Sequence, residues 1–140
     1  FVSVSDVSAP KGGGNVTITG KSNSSKLNFA LGVGDITVTL PTSYSAGGAT
    51  TPNNTAITGD PGASAEFEFS MTLAIPANST VTNKSRKITI TAAGGQTATS
   101  TISQAAGDPV LSVAPTSITL DAEGAAVAVT VTSNTNWTVE

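Results

Sequence analysis

The chain contains no cysteine and no histidine among its 140 residues. Without them it has no Ser-His or Cys-His pair for nucleophilic catalysis, no thiolate chemistry and no disulfide framework. The usual ligands of zinc, haem iron and iron–sulfur clusters are missing as well. We therefore expect no cofactor and no metal ion, and we predict that the protein is not an enzyme.

Charged and aromatic residues are also scarce. Charged residues make up 11% of the chain and aromatic residues 4%, whereas an ordinary globular domain is about 25% charged. The net charge is −3 and the pI about 4.7, the wrong sign for a surface that binds phosphates. No apolar run approaches the roughly 18 residues of a membrane-spanning helix. We expect no nucleic-acid partner and no membrane span.

Hydroxylated residues and a two-residue periodicity dominate what is present. Ser and Thr account for 40 of the 140 residues. In residues 65–75 the apolar side chains alternate with polar ones, which predicts a strand with one buried face. The apolar members of this run are Phe67, Phe69, Met71, Leu73 and Ile75. This is the pattern of a half-buried strand in an antiparallel sheet.

Shorter runs show the same alternation and are bounded by Gly, Pro, Asn or Ser. They are residues 2–7, 16–19, 26–31, 35–40, 87–91 and 96–103. Ala93, Gly94 and Gly95 separate the last two, and these glycines suit a tight hairpin turn. The sequence predicts an all-β fold, an immunoglobulin-like antiparallel β-sandwich of about seven strands.

Residues 41–63 do not fit the alternating pattern. This stretch holds three Pro, four Gly and the only Tyr, Tyr44. Because it is longer than most loops in compact domains, it is a functional loop, a segment folded over the surface, or the site of a short hidden strand. The residues do not distinguish a binding loop from a passive insertion.

A domain boundary is predicted near residues 105–109, where a small, flexible segment ends in Pro109. Residues 1–107 form the first unit, and strand patterns restart at residues 110–113, 117–120 and 125–132. With an offset of 113, residues 5–19 align with residues 118–132 in the order strand, Gly-rich turn, Val-Thr-x-Thr strand. The shared residues are Ala9/Ala122, Val16/Val129, Thr17/Thr130 and Thr19/Thr132. We interpret residues 108–140 as the start of a second, incomplete repeat.

At this point the sequence resembles a known family. Residues 110–124 (VLSVAPTSITLDAEG) followed by residues 129–139 (VTVTSNTNWTV) resemble the opening of a BACON domain, and residues 85–107 resemble its closing hairpin. BACON domains are immunoglobulin-like modules associated with Bacteroidetes and described as carbohydrate-binding. The first unit departs from the pattern, because Leu27 stands where the Trp would fall and residues 41–63 are inserted.

Residues 108–140 supply only the first strands of such a module, and about four strands do not normally cover their own face. Three interpretations remain open. The segment belongs to a longer tandem array, or it is a tail that docks on the first unit, or it pairs with another subunit through residues 110–140. We favour the first, in which the partners are other domains of the same longer chain.

Two aromatic residues are candidate glycan contacts. Trp137 could stack on a sugar, although a Trp that starts the third strand of a sandwich usually fills the core, which is the interpretation we favour. Tyr44 lies in the long insertion, where exposure is expected. Glu66 and Glu68 fall on one face of a strand, about 7 Å apart, a spacing that resembles a glycosidase pair. We interpret them as solvated surface positions.

The leading hypothesis is a non-catalytic, extracellular structural spacer, display or adhesion module. It would belong to a bacterial surface protein or to a phage virion protein, as the resemblance implies. The alternative is a carbohydrate-binding module for glycans or mucin, appended to a larger protein.

Overall fold

The computed structural model describes all residues 1–140 and is built from strands and loops alone. It contains no helix that is long and apolar enough to cross a membrane. The strands are β1 (Val2–Val4), β2 (Val7–Ala9), β3 (Gly14–Ser22), β4 (Leu27–Gly34), β5 (Ser43–Ala46), β6 (Ala49–Pro52), β7 (Phe67–Ile75), β8 (Lys84–Ala92), β9 (Thr97–Gln104), β10 (Leu111–Ala114) and β11 (Thr130–Ser133).

Two sheets made from residues 1–104 pack face to face. The five-stranded sheet has the order β1-β3-β7-β5-β6, and the four-stranded sheet has the order β2-β9-β8-β4. All neighbours are antiparallel except β2 and β9, which are parallel. The core orders β1-β3-β7-β5 and β4-β8-β9 are those of the immunoglobulin fold. The predicted all-β sandwich is therefore confirmed.

The chain crosses from one sheet to the other between β1 and β2. At this crossing the Ser100 hydroxyl donates to the Ser5 carbonyl at 2.7 Å, and the Thr101 amide donates to Asp6 Oδ1 at 2.7 Å. The Ser5 amide donates to the Thr19 carbonyl of β3. The predicted strand at residues 2–7 is thus divided into two short strands in different sheets. The hydrogen bonds at the crossing satisfy backbone groups that neither ladder reaches.

The core lies between the two sheets and draws on every long strand. The five alternating apolar residues of β7 are at most 5% exposed, whereas Glu68 on the same strand is exposed. The Phe29 and Phe69 rings meet edge to face with centroids 5.7 Å apart. Each fully buried large apolar side chain stabilises the fold by about 1.5–3 kcal/mol relative to an exposed one. The alternation that predicted β7 thus reports which face is buried.

The inserted stretch at residues 41–63 contains a hairpin. Strands β5 and β6 pair with each other, and β5 also pairs with β7, so the insertion extends the five-stranded sheet. Gly47 and Gly48 make the turn with φ values of 56° and 85°, a region that favours glycine. Beyond β6, the Asn53 side chain accepts from the Phe29 amide at 2.8 Å and donates to the Phe29 carbonyl at 2.9 Å. The insertion therefore covers part of the free edge of β4.

The prediction of a strand at residues 35–40 is wrong. Ile36 and Val38 are buried as the alternation requires, but the segment forms no ladder. A register shift between Leu31 and Gly34 turns the chain away from β8. Arg86 then holds the segment, donating from Nε to the Ile36 carbonyl at 2.8 Å and from Nη1 to the Gly32 carbonyl at 3.0 Å.

Residues 108–140 form one two-stranded sheet, β10 with β11, and none of these residues is buried. The strand predicted at residues 117–120 is absent. Of the strand predicted at residues 125–132, only residues 130–132 lie in a strand, β11, and residues 125–129 are irregular. In the first unit the counterparts of these residues pair with β7 and β9. Residues 108–140 contain no counterpart of β7 or β9, and a strand without a neighbour has no ladder.

Candidate functional site

Tyr44 lies inside the sandwich. It is 3% exposed on β5, and its ring packs against Phe29 with centroids 4.8 Å apart. Burial raises the pKa of its phenol above the ordinary value, an effect that the Leu27 backbone partly offsets. The expectation that Tyr44 is exposed was wrong, because β5 turns it toward the core, and a ring so covered offers no face to a glycan.

Trp137 is 48% exposed and lies beyond β11, outside any strand. Residues 108–140 bury no side chain against which it could pack, so the expectation that Trp137 fills the core of a sandwich stays a prediction. Because Tyr44 is buried and Trp137 is exposed in the other unit, the two candidate glycan contacts do not form a common aromatic platform.

Glu66 and Glu68 are both exposed, as the alternation predicted. Lys21 Nζ contacts Glu66 Oε1 at 2.8 Å, and this hydrogen bond and charge raise the pKa of Lys21. No group of three Asp or Glu side chains lies close enough to hold a metal ion. The two carboxylates belong to the outward face of the five-stranded sheet.

That outward face carries a groove of about 770 Å³. Six of its lining residues bear hydroxyl groups: Ser3, Ser5, Thr17, Thr19, Ser45 and Ser70. Thr17 Oγ1 lies 2.9 Å from Thr72 Oγ1, whereas the hydroxyls of Thr19, Ser45 and Ser70 form no hydrogen bond within the protein. Lys21 and Glu68 add one charge of each sign. The groove thus offers unpaired donors and acceptors to a polar ligand.

A second constellation of polar groups lies where the chain leaves the sandwich. Asn78 is 3% exposed, and its Nδ2 donates to the carbonyls of Thr82 at 2.7 Å and Ala105 at 3.0 Å. Its Oδ1 accepts from the amide and the hydroxyl of Thr80. The Gly107 amide donates to the Thr80 carbonyl at 2.7 Å. Asn78 therefore fixes both the loop after β7 and the segment that follows β9.

Asn134 ties the hairpin to the same loop. Its Nδ2 donates to the carbonyls of Ser79 and Asp108, both at 2.9 Å, and its Oδ1 accepts from the Val110 amide at 2.8 Å. Lys11 forms an ion pair with Asp108 at 2.6 Å. We call this set, Lys11, Asn78, Gly107, Asp108 and Asn134, the junction.

Glycine is required at one position of the junction. A Cβ on Gly107 would collide with the Asn78 carbonyl oxygen. The sequence indicated a flexible boundary at residues 105–109, but it did not single out Asn78 or Asn134. Asn is frequent in turns, so only the fold distinguishes these two from the other Asn residues.

No family model and no curated protein matches the chain. Among solved structures the chain is similar to one described as the NMR structure of the protein from Bacteroides thetaiotaomicron. The two share 16% identity over 71% of this chain and 75% of that chain, with a TM-score of 0.34.

Proposed function

We propose that the chain is a non-catalytic, immunoglobulin-like module that acts as a structural spacer or display unit. It would belong to a larger extracellular protein, on a bacterial surface or a virion, consistent with the resemblance to BACON domains. The single observation that carries the proposal is the junction.

The junction supports this role because it replaces a flexible link with fixed contacts. Linked domains move relative to each other by default. Here side chains from two loops bind the backbone of residues 105–110, and each such hydrogen bond contributes about 0.5–1.5 kcal/mol. A spacer must transmit orientation from one unit to the next, and several bonds across the link serve that purpose.

Backbone ¹⁵N relaxation on the 140-residue chain tests this role. We expect heteronuclear NOE values for residues 105–110 that equal those of β8 and β9, and a clear decrease in Asn134→Ala. Asn136→Ala is the matched control, because Asn136 is exposed and makes no hydrogen bond with its side chain. Low NOE values in the unmodified chain would rule out a rigid spacer.

The groove favours a second candidate function, recognition of a neutral saccharide. Sugar hydroxyls are donors and acceptors that match the unpaired hydroxyls of Thr19, Ser45 and Ser70. The volume of about 770 Å³ lies in the range of small-molecule sites. This candidate replaces the aromatic site expected at Tyr44 and Trp137 with one on the outward sheet face.

An NMR titration with a panel of neutral hexasaccharides tests the groove. Saturable shifts should appear on β3, β5 and β7 and be lost in Thr19→Arg, which fills the groove. Thr99→Arg is the control, because Thr99 is an exposed Thr on the outward face of the other sheet. Shifts spread equally over both faces, or none, count against saccharide binding.

A further inference from the structure

We propose that the contact between residues 5–10 and residues 100–104 is a mechanical clamp, which keeps the first unit folded when tension acts along the chain. We call this contact the terminal clamp. Resistance to force goes beyond the spacer role, which requires only a rigid junction. The terminal clamp lies inside the first unit and shares no residue with the junction.

The terminal clamp keeps one register over five consecutive residues. Strand β2 pairs with β9 in parallel, and the opposed residues are Val7 and Ile102, Ser8 and Ser103, and Ala9 and Gln104. Ahead of this ladder the Ser100 hydroxyl donates to the Ser5 carbonyl at 2.7 Å. The Thr101 amide donates to Asp6 Oδ1, also at 2.7 Å. Both of these pairs are 95 residues apart in the chain, as the ladder pairs are, so side chains continue the register of a short ladder.

Two hydrogen bonds of the terminal clamp involve buried side chains. Ser100 is fully buried, and Gln104 is 2% exposed. Gln104 Nε2 donates to the Pro10 carbonyl at 3.0 Å, beyond the last pair of the ladder. A buried group that loses its partner pays the full cost of desolvation, because no water is at hand to replace the bond. These side chains therefore resist sliding of one segment past the other.

The first unit begins and ends at opposite ends of the sandwich. The Phe1 amino group donates to Asn23 Oδ1, just after the last residue of β3. Asp108 forms its ion pair with Lys11, just before the first residue of β3. Nine residues of strand separate these two positions, a length on the order of 30 Å. Tension between the two ends is therefore directed along the strands.

Such tension pulls β2 and β9 in opposite directions along their length. Force reaches β2 through its first residue and β9 through its last, and the two strands are parallel. Their evenly spaced hydrogen bonds then stretch together, whereas strands pulled apart from a common end lose one bond at a time. Unfolding requires several bonds to break in one step. This lowers the rate of unfolding, which governs how long a fold survives under force.

Single-molecule force spectroscopy of the 140-residue chain at constant force tests the terminal clamp. The chain has no cysteine, so Phe1→Cys and Pro109→Cys attach the handles at these two positions only. Asp6→Ala removes the bond to the Thr101 amide. The rate of forced unfolding should rise about two- to tenfold, the effect of losing one hydrogen bond that breaks on the way to the transition state.

Asp35→Ala is the matched control. Asp35 is exposed like Asp6, and its Oδ1 accepts from the Ser85 amide at the same distance of 2.7 Å. This bond joins two segments outside the terminal clamp. Urea denaturation should show similar losses of stability in the two variants, whereas only Asp6→Ala should accelerate unfolding under end-to-end force.

A second handle position changes the direction of the force. With Gly12→Cys in place of Phe1→Cys, residues 1–11 carry no tension and both handles lie at the same end of the sandwich. A Cβ at Gly12 meets nothing within 4 Å, so this variant should fold. At equal force the chain should unfold faster than in the end-to-end arrangement, and Asp6→Ala should add no further acceleration.

Three results would overturn the proposal. They are equal acceleration by Asp6→Ala and Asp35→Ala, no acceleration by either, and equal unfolding rates for the two handle positions. Failure of the rigid spacer is a separate result, because it is measured by the NOE values of residues 105–110 and not by the rate of forced unfolding.

Discussion

The ring of Tyr44 packs against the ring of Phe29 with centroids 4.8 Å apart and planes inclined by 46°. Tyr44 comes from the inserted hairpin in the five-stranded sheet, and Phe29 comes from β4 in the four-stranded sheet. Aromatic pairs at this separation contribute about 0.5–1.5 kcal/mol beyond the area that they bury. The contact therefore anchors the insertion to the opposite sheet.

The burial of Tyr44 predicts a dependence of stability on alkaline pH. Its pKa is raised in the folded state, so below about pH 10 both states hold the proton. Above that pH the unfolded state loses the proton first, and the free energy of unfolding falls. Urea denaturation between pH 8 and pH 11 should show a steeper decline for the unmodified protein than for Tyr44→Phe. Identical slopes would contradict the shift.

Shortening the side chain of Gln104 should cause a large loss of stability. It is 2% exposed, and its Nε2 donates to the carbonyls of Pro10 at 3.0 Å and Pro76 at 2.8 Å. Gln104→Ala leaves these carbonyls unpaired, which should lower the free energy of unfolding by about 1–3 kcal/mol. Chemical denaturation measures this loss. Gln96→Ala, in the exposed β8–β9 turn, should change little, and equal effects would refute the argument.

Arg86 should not be replaceable by lysine. Its guanidinium reaches the Ile36 and Gly32 carbonyls with two different nitrogens, a fork that a single ammonium does not reproduce. We expect Arg86→Lys to cost about 1–2 kcal/mol and to speed hydrogen exchange of the Ile36 amide. Lys87→Arg, on the exposed neighbour, is the control. Unchanged exchange at Ile36 would show that the fork is not required.

Gly20 should not tolerate a side chain. A Cβ at this position would collide with the Ser3 carbonyl and with the Phe69 ring. Gly20→Ala should therefore destabilise the fold by about 1–3 kcal/mol, the usual cost of overpacking. Gly12→Ala is the matched control, because a Cβ there meets nothing within 4 Å. Thermal denaturation of the two variants should differ clearly, and similar midpoints would disprove the clash.

The candidate sites were less predictable than the fold. The sequence pointed to Tyr44 and Trp137 because aromatic residues are rare and sugars stack on them. It did not point to the groove, because Thr19, Ser45 and Ser70 come from three strands that only sheet pairing brings together. It also missed Asn78 and Asn134, whose partners at Ala105 and Ser79 are 27 and 55 residues away in the chain.

The sequence alone determined the fold class and the buried faces. Alternation is a local property, so β7 and the β8–β9 hairpin around Gly94 and Gly95 could be predicted from neighbouring residues. Although the strand predicted at residues 35–40 does not form, Ile36 and Val38 are buried as the pattern requires. The tertiary structure decided which strands pair, how the insertion at residues 41–63 joins the sheet, and where Tyr44 points. A ladder needs a partner strand from a distant part of the chain, and local periodicity does not indicate which strand that partner is.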